Sequence, residues 1–197
     1  MSNNETNKLY TFEAEIKKVT DIETERLLIR TLSMEDKEAF YKYRSMPEVY
    51  KYQSMRPGSI NEVEEFISKN SDARLNEPDT WMQLAVCLKE GQMIGDIGIH
   101  FIDDKYQIEI GYTLSPEYQG RGYASEAVNA IIDYAFNKLK KHRVIASVDP
   151  DNVSSVKLLE RTGFRKEAQF IKSYRMNDTW YDDCIYAILK DEWKTED

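Results

Sequence analysis

Apolar residues along this chain recur with two different periods, and the switches between them outline its elements. Trp81–Leu88 and Met93–Ile102 are short apolar runs suited to buried strands, and the turn Lys89-Glu90-Gly91-Gln92 between them predicts a hairpin. Asp103-Asp104-Lys105 predicts the next turn, after which Gln107–Leu114 alternates as a further strand. The period then changes. Ala124, Ala127, Val128, Ile131, Ala135 and Leu139 recur at helical spacing, so one face of that helix must pack on a sheet. Arg143–Val148 is a short β-branched strand, and Ser154–Thr162 is a helix ended by Gly163. Phe170–Met176 and Trp180–Leu189 predict a terminal hairpin about Asn177-Asp178.

The N-terminal part is more polar. Residues 1–20 read as an extension with a short helix or strand near Leu9–Val19. Ile22–Leu32 holds the apolar core of Arg26-Leu-Leu-Ile-Arg30 and predicts the first strand. Ser33 is placed to cap a helix, with Asp36 as the capping-box acid, and that helix is expected to run to about Ser45 and stop before Pro47. Ser59 or Asn61 caps a second helix with Val63, Phe66 and Ile67 on one face. The element order predicts a mixed sheet covered by helices on both sides, an α/β (α+β) fold in one domain over residues 21–194.

Composition narrows the function. The 197 residues, 41% hydrophobic and 12% aromatic, can build a core. A formal charge of −8 disfavours general nucleic-acid binding and suits cationic substrates, although acidity that serves only solubility gives the same number. No apolar run approaches the roughly 18 residues that span a membrane, and Met1–Lys8 lacks an apolar signal core. A cytoplasmic location is expected. Cys87 and Cys184 sit in apolar stretches and read as buried free thiols, while His100 and His142 have no ligand spacing, so no metal site is expected.

The candidate chemistry lies in Glu109-Ile-Gly-Tyr-Thr-Leu-Ser-Pro-Glu-Tyr-Gln-Gly-Arg-Gly-Tyr-Ala124. A glycine-bearing loop feeding a helix N-terminus presents backbone N–H groups and a positive dipole end to a phosphate. It is neither a Walker loop nor a dinucleotide fingerprint, since Gly-Lys-Ser/Thr is missing and the glycine spacing differs. Read alone, it is also compatible with an ordinary strand-to-helix turn.

This stretch is followed by Asn152-Val-Ser-Ser-Val-Lys-Leu-Leu-Glu-Arg-Thr-Gly-Phe164, preceded by Glu23-Thr-Glu-Arg-Leu-Leu-Ile-Arg30, and closed by Asp182-Asp-Cys-Ile-Tyr-Ala-Ile-Leu-Lys-Asp-Glu-Trp193. Together these motifs resemble the GNAT superfamily of acetyl-CoA-dependent N-acetyltransferases over roughly residues 22–193, most of all the RimJ/RimL-type ribosomal-protein N-terminal acetyltransferases. The resemblance implies a GNAT fold whose mixed central sheet of about seven strands splays at the cofactor strand. It implies that Gln119, Gly120, Arg121, Gly122, Tyr123 and Ala124 hold the coenzyme A pyrophosphate, with Leu114 and Ser115 at the splay. Asn152 then bonds the pantetheine, and Ser155 lies near the sulfur.

In such an enzyme a neutral amine attacks the thioester directly, so a base must take its proton and a donor must meet the leaving thiolate. Glu109 is the candidate base, although an alternating strand would also place Gln107, Glu109 and Gly111 on one exposed face. Ser155 is the candidate thiolate donor, because Leu159 stands where many superfamily members carry a tyrosine acid. Trp81, His100, Tyr112 and Tyr174 are candidates to line the acceptor site, and Asp182-Asp183 to steer a cation. The expected acceptor is the N-terminal α-amine of a protein or peptide. A polyamine or aminoglycoside-like amine, or a non-catalytic acyl-CoA-binding role, are the alternatives. A homodimer is expected from the resemblance.

Overall fold

The computed structural model describes residues 21–71, 73–102, 105–176 and 178–193; the expectations for residues 1–20 lie outside them. Eight strands form a single sheet: β1 Ile22–Glu23, β2 Leu27–Thr31, β3 Thr80–Leu88, β4 Met93–Phe101, β5 Gln107–Leu114, β6 Arg143–Val148, β7 Arg165–Met176 and β8 Thr179–Leu189. Their order is β1-β2-β3-β4-β5-β6-β8-β7, with β5 and β6 parallel and every other neighbouring pair antiparallel.

The single strand expected over Ile22–Leu32 is in fact two. Thr24 folds the chain back, its N–H donating to the Leu27 carbonyl at 3.0 Å and its hydroxyl accepting from the Leu27 N–H at 2.9 Å. A threonine that satisfies its own turn in this way leaves no glycine or proline to announce it. The last strand pair is also longer than predicted. β7 begins at Arg165 rather than Phe170, because it is an edge strand exposed almost throughout and carries no burial alternation.

Among the described residues five α-helices flank the sheet: α1 Lys37–Arg44, α2 Pro47–Tyr50, α3 Ile60–Ser71, α4 Tyr123–Asp133 and α5 Val153–Arg161. Pro47 starts α2 instead of closing the region, since a helix tolerates proline at its first position. Ser33 and Asp36 meet as predicted, the Ser33 N–H donating to Asp36 at 2.9 Å. Arg30 also donates both arms of its guanidinium to Asp36, each at 2.7 Å. Ser59 caps α3, accepting from the Glu62 N–H at 3.3 Å, and Asn61 lies within the helix.

The helices divide between the faces. α4 packs on β2 and β5 and α5 on β6, over a core that includes Ile29, Ile99, Ile108, Val128 and Leu159. α1 packs on β4 and α3 on β3, around Phe40, Val63, Ile67 and Cys87. One apolar stripe per helix and two apolar sheet faces give this layering. Among the described residues no helix is long and apolar enough to cross a membrane.

Candidate active site

The parallel strands β5 and β6 pair only through Gln107–Arg143, Ile108–Val144 and Glu109–Ile145. Beyond this point β5 stays on β4 and β6 stays on β8, so the sheet opens between them. Two clefts meet at the opening, one of about 580 Å³ and one of about 300 Å³. They share Tyr52, Gln53, Tyr112, Asn152 and Ser155.

The larger cleft is built on the glycine loop. Leu114 leads into a tight turn at Pro116–Tyr118, and the Gln119 side-chain amide closes it by donating to the Leu114 carbonyl at 2.9 Å. Gly120 and Gly122 follow with φ of +75° and +85°, left-handed values that suit glycine, and α4 begins at once. A Cβ on Gly120 would meet nothing within 4 Å, so the loop backbone is open to a ligand. Gln119, Gly120, Gly122, Tyr123 and Ala124 line this cleft with Leu114, Asn152 and Ser155.

Two residues of the expected donor set do not line it. Ser115 is buried, its N–H donating to the Ile94 carbonyl at 2.9 Å. The Arg121 guanidinium lies over the Tyr118 ring, 5.8 Å from its centroid, and the Arg121 carbonyl accepts from Arg26 at 3.0 Å. The positive charge facing the cleft comes instead from Lys157 and Arg161 on α5. Two basic side chains four residues apart do not mark such a site in the sequence, because exposed helix faces commonly carry charge.

Behind the loop, Thr24 and Arg26 hold α4. Glu126 accepts from the Thr24 hydroxyl at 2.5 Å, from the Arg26 N–H at 2.9 Å and from the Arg26 Nε at 2.6 Å. The Arg26 guanidinium also stacks on the Tyr123 ring at 4.5 Å.

Glu109, Trp81, Tyr112 and Tyr174 line the smaller cleft. His100 does not. It lies beside Glu109, in a row where Trp81, His100 and Glu109 are direct neighbours across β3, β4 and β5. The Trp81 and His100 rings stack at 4.8 Å and 4°. His100 Nδ1 is 3.6 Å from Glu109 Oε2. Burial pushes the Glu109 carboxyl above the usual glutamate range; His100 opposes this and Asp183 adds to it. A carboxylate with raised proton affinity is a better base than a free one.

Asp149, Asp182 and Asp183 complete the wall, with Tyr181 and Tyr52. Asp183 accepts from Ser147 at 2.6 Å, and Asp182 from the Lys172 N–H at 3.0 Å. Among the described residues none of these three aspartates has a salt-bridge partner. Tyr52 and Gln53 fall in the segment of about residues 50–74 that the family resemblance connects with the acceptor, but no motif singles out either of them or Asp149.

Leu159 is fully buried in the core and faces away from both clefts. Of the two tyrosines shared by the clefts, Tyr112 donates its hydroxyl to the Ser155 carbonyl at 3.2 Å. Burial pushes its phenol up to about 12, against the pull of Ser155 and Arg161, so it keeps its proton. Asn152 caps α5 by accepting from the Ser155 N–H at 3.3 Å. A buried ion pair anchors the cleft floor: Arg44 and Tyr43 donate to Asp96, and Arg44 Nη1 reaches Gln53 at 3.1 Å.

Residues 26–165 match the family described as acetyltransferase (GNAT) domain, and this chain belongs to that family. Its members are acetyltransferases that use acetyl-CoA, and this chain is an N-acetyltransferase. It is 35% identical to a Bacillus subtilis protein named uncharacterized N-acetyltransferase YnaD, over 87% of this chain and 98% of that one. It is 25% identical to the spermidine N(1)-acetyltransferase of Vibrio cholerae, over 85% of this chain and 95% of that one. The crystal structure of a GNAT-family acetyltransferase from Bacillus anthracis superposes with a TM-score of 0.80 at 34% identity, covering 87% of this chain and 99% of that one.

Proposed function

We propose that this chain transfers the acetyl group of acetyl-CoA to a cationic primary amine by direct attack, the two substrates meeting where the clefts join. The observation that carries this reading is the shared boundary: Tyr112, Asn152 and Ser155 belong to both clefts, beside the unpaired edges of β5 and β6. The open loop backbone at Gly120 and Gly122 and the α4 N-terminus fit a pyrophosphate, and Lys157 and Arg161 fit further phosphate charge. Asn152 and Ser155 would lie along the pantetheine arm. The cofactor supplies an activated thioester.

The protein's own work is proton management and charge stabilisation. Glu109 takes the ammonium proton, directly or through water. Backbone N–H groups at the splay meet the developing oxyanion. The Ser155 and Tyr112 hydroxyls are the donors available to the departing sulfur, Tyr112 taking the place that Leu159 leaves without a hydroxyl.

The resemblance to RimJ/RimL-type enzymes supports a protein N-terminal α-amine as acceptor. A second reading, a polyamine, has its own observation in its favour. The amine that reacts must lose its charge, yet Asp149, Asp182 and Asp183 line the cleft beside Glu109. Such a wall suits an acceptor that keeps a second positive charge, as a polyamine or an N-terminus followed by a basic residue does. Thiol release from acetyl-CoA with spermidine and with a free-N-terminal basic peptide tests both readings. Release with neither, at any pH between about 6 and 9, would overturn the proposed function.

A further inference from the structure

The transfer R–NH3⁺ + CH3CO–S–CoA → R–NH–COCH3 + CoA–SH + H⁺ removes two protons from the ammonium nitrogen and returns only one of them to sulfur. The other must leave the protein in every cycle. The Glu109 side chain is 28% exposed, and it lines the acceptor cleft. A seated acceptor covers that path to water.

On the far side of Glu109 another path exists. His100 presents Nδ1 to Glu109 at 3.6 Å and Nε2 to Asp79 Oδ1 at 3.3 Å. The Asp79 side chain is 85% exposed. We propose that Glu109, His100 and Asp79 form a proton exit that empties the base into solvent at Asp79, outside the lining of the acceptor cleft, while that cleft is filled. This rests on the reading of Glu109 as the base.

The alignment is built into the fold. Cross-strand register sets Trp81, His100 and Glu109 in one row. The indole stacks flat on the imidazole, and its own seat is Gly98, where a Cβ would come within 3.2 Å of the indole ring. Asp79 is held in a left-handed conformation, φ 57°, by its N–H bond to the Phe101 carbonyl at 2.7 Å, which brings its carboxylate to Nε2. An imidazole carries a donor and an acceptor on opposite nitrogens, which a one-sided amide or carboxylate cannot match.

In the transfer step the Glu109 O–H bond breaks as Nδ1–H forms, giving an imidazolium. The Nε2–H proton then passes to Asp79 and on to water. The ring returns to its starting tautomer by exchange at its 20% exposed edge. Asp183 on β8 is a further charged group that acts on Glu109 from another element. His100 does not line the acceptor cleft, so it is a relay and positioning residue.

The test compares His100→Gln, Asp79→Asn and Glu109→Gln with the wild type, following thiol release from acetyl-CoA with spermidine, or with the basic peptide if spermidine is not acetylated. A glutamine keeps a hydrogen bond to Glu109 but cannot carry a proton. His100→Gln is expected to lower kcat about tenfold, leave both KM values within about twofold, and recover with added imidazole. Asp79→Asn, changed only at an exposed side chain, is expected to lower kcat by a smaller factor without affecting folding. Wild-type kcat in His100→Gln, or a loss that imidazole does not restore together with wild-type kcat in Asp79→Asn, would overturn the exit. If Glu109→Gln itself keeps wild-type turnover, the reading of Glu109 as base fails and the exit fails with it. Glu109→Gln inactive beside a fully active His100→Gln sinks the exit alone.

Discussion

Arg26 and Glu126 stand a hundred residues apart in the chain, yet they join the first turn of the sheet to the helix that follows the glycine loop. Arg26 reaches past Glu126 to the Arg121 carbonyl, so a single side chain fixes both the loop and the start of α4. Arg26→Ala is therefore expected to raise KM for acetyl-CoA about tenfold through a misplaced loop, while kcat changes little. Because the Arg26 side chain is 41% exposed, the stability loss should be only ~1 kcal/mol, read from urea unfolding. An unchanged KM would mean that the loop holds its shape without this brace.

Gly122 tests the same loop from its backbone. Its φ of +85° is strained for any other residue, and a Cβ there would sit 3.3 Å from Arg26 Nη2. Gly122→Ala is expected to cost ~1–2 kcal/mol and to weaken acetyl-CoA binding in calorimetry. Gly91→Ala, also at positive φ but in a distant hairpin turn, should cost a similar amount and leave that binding unchanged.

Acid should unfold this protein through identifiable carboxylates. Burial would raise Asp36, but bonds from Arg30 and Ser33 outweigh it and hold the carboxyl below the usual aspartate range. Burial likewise opposes the bonds from Thr24 and Arg26 that hold Glu126 below the usual glutamate range. Both groups thus contribute stability above their unfolded-state values, and lose it as pH falls through their lower folded ones. Asp36→Asn should cost ~3 kcal/mol at neutral pH and flatten the acid side of the stability profile. An equal loss at every pH would show that the ion pair is not the source.

Glu109 gives the opposite sign, and its effect is on rate. Its carboxyl is raised by burial, so the active carboxylate form is depleted as pH falls through a value above the usual glutamate range. The rate with saturating amine should fall on the acid side earlier than an exposed glutamate would require. Asp183→Asn removes one cause of the rise and is expected to move that limb to lower pH.

Ser155 and Tyr112 compete for the role of donor to sulfur. Tyr112→Phe is expected to lower kcat about tenfold or more with little change in KM for acetyl-CoA, and Ser155→Ala by a comparable factor. If one variant keeps full kcat, the other hydroxyl is the donor.

What was legible in the sequence follows from where each signal lives. The glycine loop, Asn152, Ser155 and Glu109 lie on or beside regular elements with strong periodicity, and the clefts form around them. The extra strand at Ile22–Glu23 was hidden because Thr24 makes its turn with a hydroxyl. Tyr52, Gln53 and Asp149 reach the clefts from loops, where tertiary packing alone decides position. Arg121 reads as a phosphate contact from its place in the motif, yet its neighbour Tyr118 draws it aside. His100 was expected against the acceptor; strand register sets it beside the candidate base, outside the cleft lining.

The central claim is that Glu109, at the point where β5 and β6 part, is the base of an acetyl transfer to an amine. Steady-state thiol release by Glu109→Gln, beside acetyl-CoA affinity from calorimetry, tests it most directly. Wild-type affinity with turnover reduced at least about a hundredfold is the expected result. Wild-type turnover in a variant that binds acetyl-CoA normally would contradict it.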